Sequence, residues 1–150
     1  SMTTFDINSG SINIGDPCYG GDTVVSAKNG TWDTEVSYEN SEDWGSAVSV
    51  LMAWTGRQPK VGDFTPHGSV GVDSGQMSIT DAEIATDCGE SLYDEVCQLT
   101  LEVKGWGLMK NGIFSSTGYG DGRYPVSIIT EDGSVTAIQV KFLDEDEEDE

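Results

Sequence analysis

Apolar residues recur at every second position along much of the chain, in short runs punctuated by glycine. In FDINSGSINIGDPCY (residues 5–19), Ile7, Ile12 and Ile14 alternate with polar neighbours until Asp16-Pro17 ends the run. The pattern predicts one strand entering a turn, because Pro17 cannot donate to a ladder and biases the residues before it away from helix. DTVVSAKNGTWDTEVSYE (22–39) carries the clearest hairpin signal, with Val24 and Val25 before Asn29-Gly30 and Trp32, Val36 and Tyr38 after it. Asn-Gly readily takes the positive φ values of a type I′ turn, whose twist matches that of two paired strands. WGSAVSVLMAWTG (44–56) continues at a period of two through Val48, Val50, Met52 and Trp54.

A loop, RQPKVGDFTPHG (57–68), precedes the compact apolar and glycine-rich SVGVDSGQMSITD (69–81). In DCGESLYDEVCQLTLEV (87–103), Leu92, Val96, Leu99 and Val103 follow helical spacing. Ser91 with Asp94 makes a fair N-terminal cap, so one short helix is expected near 91–103. GLMKNGIFSS (107–116) holds a second Asn-Gly, and RYPVSIITEDGSVTAIQVKFL (123–143) closes as a hairpin turning on Asp132-Gly133, with Ile138, Val140 and Phe142 on one face. The prediction is a mainly β, sandwich-like fold of antiparallel hairpins with that one helix, forming a single domain over residues 2–143.

Charge narrows the range of partners. The chain has 27 acids against 7 bases, a formal charge of −20, and its last seven residues are the acidic run DEDEEDE. Residues 144–150 repel one another and bury nothing apolar, so a disordered tail is expected there. About −13 remains without them. A field of that sign disfavours non-specific binding to nucleic acid or to anionic membrane. No run of about 18 apolar residues exists to span a bilayer. Cys18, Cys88 and Cys97 are odd in number and form no CxxC pair, which suits reduced thiols and a cytoplasmic location.

Candidate chemistry centres on SSTGYGDGRYPV (115–126). Gly118, Gly120 and Gly122 alternate with Tyr119 and Asp121, so the backbone can approach a ligand and present N–H groups in a concave nest. Ser115, Ser116 and Thr117 add hydroxyls, and Arg123 offers a bidentate fork suited to phosphate. Tyr119 or Tyr124 could stack on a base, and Asp121 could take a ribose hydroxyl. GVDSGQ (71–76) is a second glycine-flanked element, contributing Asp73 and the amide of Gln76. The GxxxxGK[ST] pattern of a P-loop is absent. The same glycines equally suit a bulged crossing between two strands, with Arg123 neutralising local acids.

Other chemistry has weaker sequence support. Cys18 could act as a nucleophile with His67 as its base, but no motif links them, and free cysteines are usually small buried hydrophobes. Asp16, Asp73 and Asp121 each lie in a glycine-rich turn that could face a hard cation, yet short acids in such turns usually accept backbone N–H bonds. No catalytic residue, metal or cofactor is therefore assigned.

IGDPCY (14–19), NGTW (29–32), GVDSGQ, YDEVC (93–97), SSTGYGDGRYPV and DGSVTAIQVKF (132–142) resemble, in that order, the bacterial and phage family known as domain of unknown function 4241. The resemblance spans nearly the whole chain except the tail, and its most specific part is the Ser/Thr-Gly-Tyr-Gly-Asp-Gly segment. It implies a β-rich single domain and a phage source, and it supplies no enzymatic activity. Small phage proteins without enzyme signatures often act against host defence, by association of class alone. The leading expectation is thus a non-catalytic binding protein that sequesters a nucleotide-derived immune signal, a cyclic or ADP-ribose nucleotide, as a homo-oligomer in the host cytoplasm. One alternative is an acidic inhibitor or DNA mimic that covers a basic host protein. Another is a metal-assisted phosphoester hydrolase.

Overall fold

A computed structural model describes residues 4–16, 23–41, 45–72, 76–85, 106–117 and 122–142. The strands in chain order are β1 (Thr4–Ile7), β2 (Ser11–Gly15), β3 (Thr23–Ser26), β4 (Gly30–Ser41), β5 (Gly45–Trp54), β6 (Thr65–Val72) and β7 (Gln76–Asp81). A single helical turn, α1 (Ala82–Ala85), follows, and then β8 (Trp106–Met109), β9 (Gly112–Ser116), β10 (Gly122–Glu131) and β11 (Ser134–Lys141). One sheet has the order β1-β4-β5-β11-β10-β6 and the other β3-β2-β7-β9-β8, with neighbours antiparallel throughout. The fold is mainly β and sandwich-like, as the alternating pattern predicts.

The period of two explains the core. In β11, Ile138 and Val140 face inward, with Phe142 just beyond the strand, and Ile12 and Ile14 of β2 and Met77 and Ile79 of β7 line the facing sheet. Phe5 and Trp32 stack at 6.3 Å between ring centroids, and both are buried. Burial of such side chains supplies the main driving force, at roughly 1.5–3 kcal/mol for each large one.

The structure corrects two expectations at the N-terminal end. The isoleucine run is two strands, with β1 in the six-stranded sheet and β2 in the five-stranded sheet. They separate at Asn8-Ser9-Gly10, where Gly10 has φ +77°. Ile7 and Ile12 thereby enter one core from opposite sheets. The Asn29-Gly30 pair does not close a hairpin either. β3 pairs with β2, whereas β4 pairs with β1 and β5, so the chain passes from one sheet to the other at this point. The Asn29 side chain instead accepts the Gly10 N–H at 2.7 Å and ties the β1–β2 turn down.

Asp132-Gly133 behaves as expected, with φ +54° and +84° and Glu131 opposite Ser134, the two-residue I′ geometry. The helix expected near 91–103 and the tail at 144–150 lie outside the described residues. Among the described residues, no helix is long and apolar enough to cross a membrane.

Candidate functional site

Strand β7 runs the length of the sandwich, from Gln76 at one end to Asp81 at the other. At the Gln76 end the chain crosses between the sheets twice, from β6 to β7 and from β9 to β10. The residues flanking these crossings pair with one another, Val72 with Gly122 in one sheet and Gln76 with Ser116 in the other. The two glycine-rich stretches singled out from sequence, 71–76 and 115–124, are therefore flanked by neighbouring residues at one end of the fold. Tyr119, Asp121 and Asp73 lie outside the described residues, as do Cys18, Cys88 and Cys97.

At this end the space between the sheets turns polar. Met77 faces the core and pairs with Ser115, which in turn pairs with Trp106. Gly15 pairs with Ser78, the neighbour of Met77, and Asp16 follows Gly15 just beyond the end of β2. Asp16, Ser115 and Thr117 are all buried, as is Gln76, whose side chain lies on the other face of the sheet. Ser115 donates its hydroxyl to the Ser116 carbonyl at 2.7 Å. The row from Met77 through Ser115 to Trp106 spans two interstrand steps, roughly 10 Å at about 4.8 Å each.

Strand alternation separates two of the expected partners. Tyr124 points inward, is buried, and meets Phe142 edge to face at 5.4 Å, so its ring belongs to the core. Its phenol oxygen lies under Gly122, 3.5 Å from where a Cβ there would sit. Arg123 points to the opposite, exposed face, where its Nε and Nη2 donate to the hydroxyl and carbonyl of Ser69, each at 3.1 Å. Arg123 and Tyr124 thus do not face one common pocket.

An aromatic pair that sequence reasoning did not join completes this end. Tyr38 lies where the β4–β5 register shifts, a bulge between Ser37 and Tyr38, and pairs with the core residue Val48. It is 43% exposed and hydrogen-bonded to the side chain of Trp106 from the other sheet. Because indole only donates, the Trp106 N–H donates to the phenol oxygen. Partial burial pushes the Tyr38 phenol above its usual range, against the opposing effect of that hydrogen bond. Trp106 next to glycine and Tyr38 in the alternation with Trp32 and Val36 were the available hints; that the two meet depends on how the two sheets face each other.

The Asp81 end is built differently. The buried Asp81 carboxylate accepts the backbone N–H groups of Asn8, Ser9 and Glu83 at 2.7, 3.0 and 2.9 Å. Burial alone would raise its pKa, but these bonds together outweigh it and hold the carboxyl below the usual aspartate range. This carboxylate is a structural clamp on the β1–β2 turn and α1.

His67 is exposed on β6. Among the described residues, no cluster of three or more His, Cys, Asp or Glu side chains is placed to hold a metal ion. What the Gln76 end offers is recognition through hydroxyls, an amide, a carboxylate and aromatic rings. Compared with family models, curated proteins and solved structures, the chain has no match.

Proposed function

We propose that this protein is a non-catalytic binding protein for a small polar ligand of the nucleotide type, taken up at the Gln76 end of the sandwich. The observation that carries this reading is that the flanks of both glycine-rich crossings lie together there, beside the buried polar residues Asp16, Ser115 and Thr117, with the buried Gln76 on the other face of the same sheet. Buried polar side chains gathered at one end of an otherwise apolar core are what orients a ligand in a mostly apolar site. Ser116, Arg123 and Tyr124 belong to the same neighbourhood, Tyr124 through its phenol oxygen and Arg123 from the outer rim. The resemblance to domain of unknown function 4241 implies a phage source and supplies no enzymatic activity, and sequestration of an immune signal is the biological form proposed for the binding role by association of class.

Native mass spectrometry after incubation with cyclic nucleotides and ADP-ribose derivatives tests the reading. A nucleotide retained and released intact on denaturation supports it, and loss of retention in Gln76→Ala and Thr117→Val localises it. A protein that stays empty across the panel overturns it and directs attention to the acidic surface.

A further inference from the structure

We infer that Tyr38 and Trp106 form the platform for a planar heteroaromatic ring of the ligand, one ring supplied by each sheet. This rests on the proposed binding role of the Gln76 end and names the chemical class that end would read. Three observations carry it. Tyr38 is the one aromatic residue among the exposed large hydrophobics of the described chain. It continues the inward alternation of Trp32, Thr34 and Val36 along β4, while the register shift beside it places the extra residue, Ser49, on β5. Its orientation is held by the Trp106 indole N–H from the opposite sheet, and Trp106 itself is only half-buried.

The placement also fits a ligand with two unlike parts. Trp106 begins the row that continues through Ser115 to Met77, and the buried Asp16 follows β2, which pairs with the same β7. A ring seated on Tyr38 and Trp106 would leave the rest of the molecule to run along hydroxyls and an acceptor. Aromatic side chains bind bases through their π-faces with little dependence on base identity, so the platform selects for a flat ring rather than for one base.

The experiment compares adenosine monophosphate with ribose 5-phosphate, which lacks the ring, by isothermal titration against the full chain and its variants. Adenosine monophosphate should bind the wild type and weaken roughly tenfold or more in Tyr38→Ala, while ribose 5-phosphate is indifferent to that change. Tyr38→Phe keeps the ring but loses the anchoring hydrogen bond, so its loss should be smaller, and Trp106→Phe checks the partner. Far-ultraviolet circular dichroism confirms that each variant folds. If adenosine monophosphate binds equally to wild type and Tyr38→Ala, or only ribose 5-phosphate binds, the platform is overturned and the binding role stands. If neither probe binds, both are overturned.

Discussion

The two ends of β7 show opposite uses of buried polarity. At Asp81 a buried carboxylate is surrounded by backbone donors from the β1–β2 turn and α1, and its hydrogen bonds are spent on holding the chain in place. At Gln76 the buried polar residues Asp16, Gln76, Ser115 and Thr117 lie on or just beyond β2, β7 and β9, beside the place where the chain crosses between sheets twice. Both clusters join residues far apart in sequence, since Asn8 and Ser9 lie 73 and 72 positions before Asp81. Backbone donors hold the first in place, whereas the second gathers side chains beside both crossings, which marks it as the place to look for recognition. The lesson is that burial of an acid is informative only once its partners are named: the backbone N–H groups of Asn8, Ser9 and Glu83 give the buried Asp81 a structural role.

Substitutions should separate the ends by stability against binding. The largest loss is expected from Asp81→Ala, which leaves three backbone donors without their acceptor and should cost about 3 kcal/mol. Urea unfolding measures it, and a loss below about 1 kcal/mol would deny the clamp its importance. The same carboxylate makes stability depend on pH. Its folded-state pKa is depressed, so its contribution is present above the unfolded value and fades as pH falls through the folded one. Thermal unfolding from pH 6 down to 2 should therefore show an acid-side loss that is smaller in Asp81→Asn.

Next in size is Gly112→Ala. A Cβ there would lie 2.5 Å from Thr80 Cγ2 and 2.9 Å from the Ile79 carbonyl. Overpacking of this kind costs about 1–3 kcal/mol. Adding Thr80→Ser removes the methyl and should recover part of the loss, because the carbonyl contact remains. Full recovery in the double-mutant cycle would show that the carbonyl gives way. Gly133→Ala should cost about 1 kcal/mol through its left-handed φ of +84°, and Gly133→Asn less.

The smallest stability effects, below about 1 kcal/mol, are expected from Tyr38→Ala and Ser116→Ala at the other end. If either unfolds the protein as severely as Asp81→Ala, the division of labour between the ends fails.

The three Xaa-Gly pairs show how far local patterns reach. Asp132-Gly133 joins strands that pair with each other, so turn chemistry and topology agree, and the hairpin was legible. Asn111-Gly112 also lies at a hairpin, but the two-residue loop is Lys110-Asn111, and the glycine is needed in the strand, against Thr80. Asn29-Gly30 has the same letters, and the chain changes sheets there because Trp32 packs on Phe5 and the Asn29 amide holds the β1–β2 turn. Turn residues state that the backbone can bend. Which strand lies alongside is decided by side-chain packing that no window of residues contains.

By itself the sequence determined the class of the fold, most of its core and its last hairpin, since the period of two and the residues of a tight turn are properties of a few neighbours. It also marked both glycine-rich stretches of the candidate site, because glycine excess and clustered hydroxyls are visible letter by letter. Only the tertiary structure decided that these stretches begin and end side by side, that Arg123 and Tyr124 part to opposite faces, and that Tyr38 meets Trp106 across the two sheets. Those facts depend on strand order and register, which arise from packing across the whole sandwich.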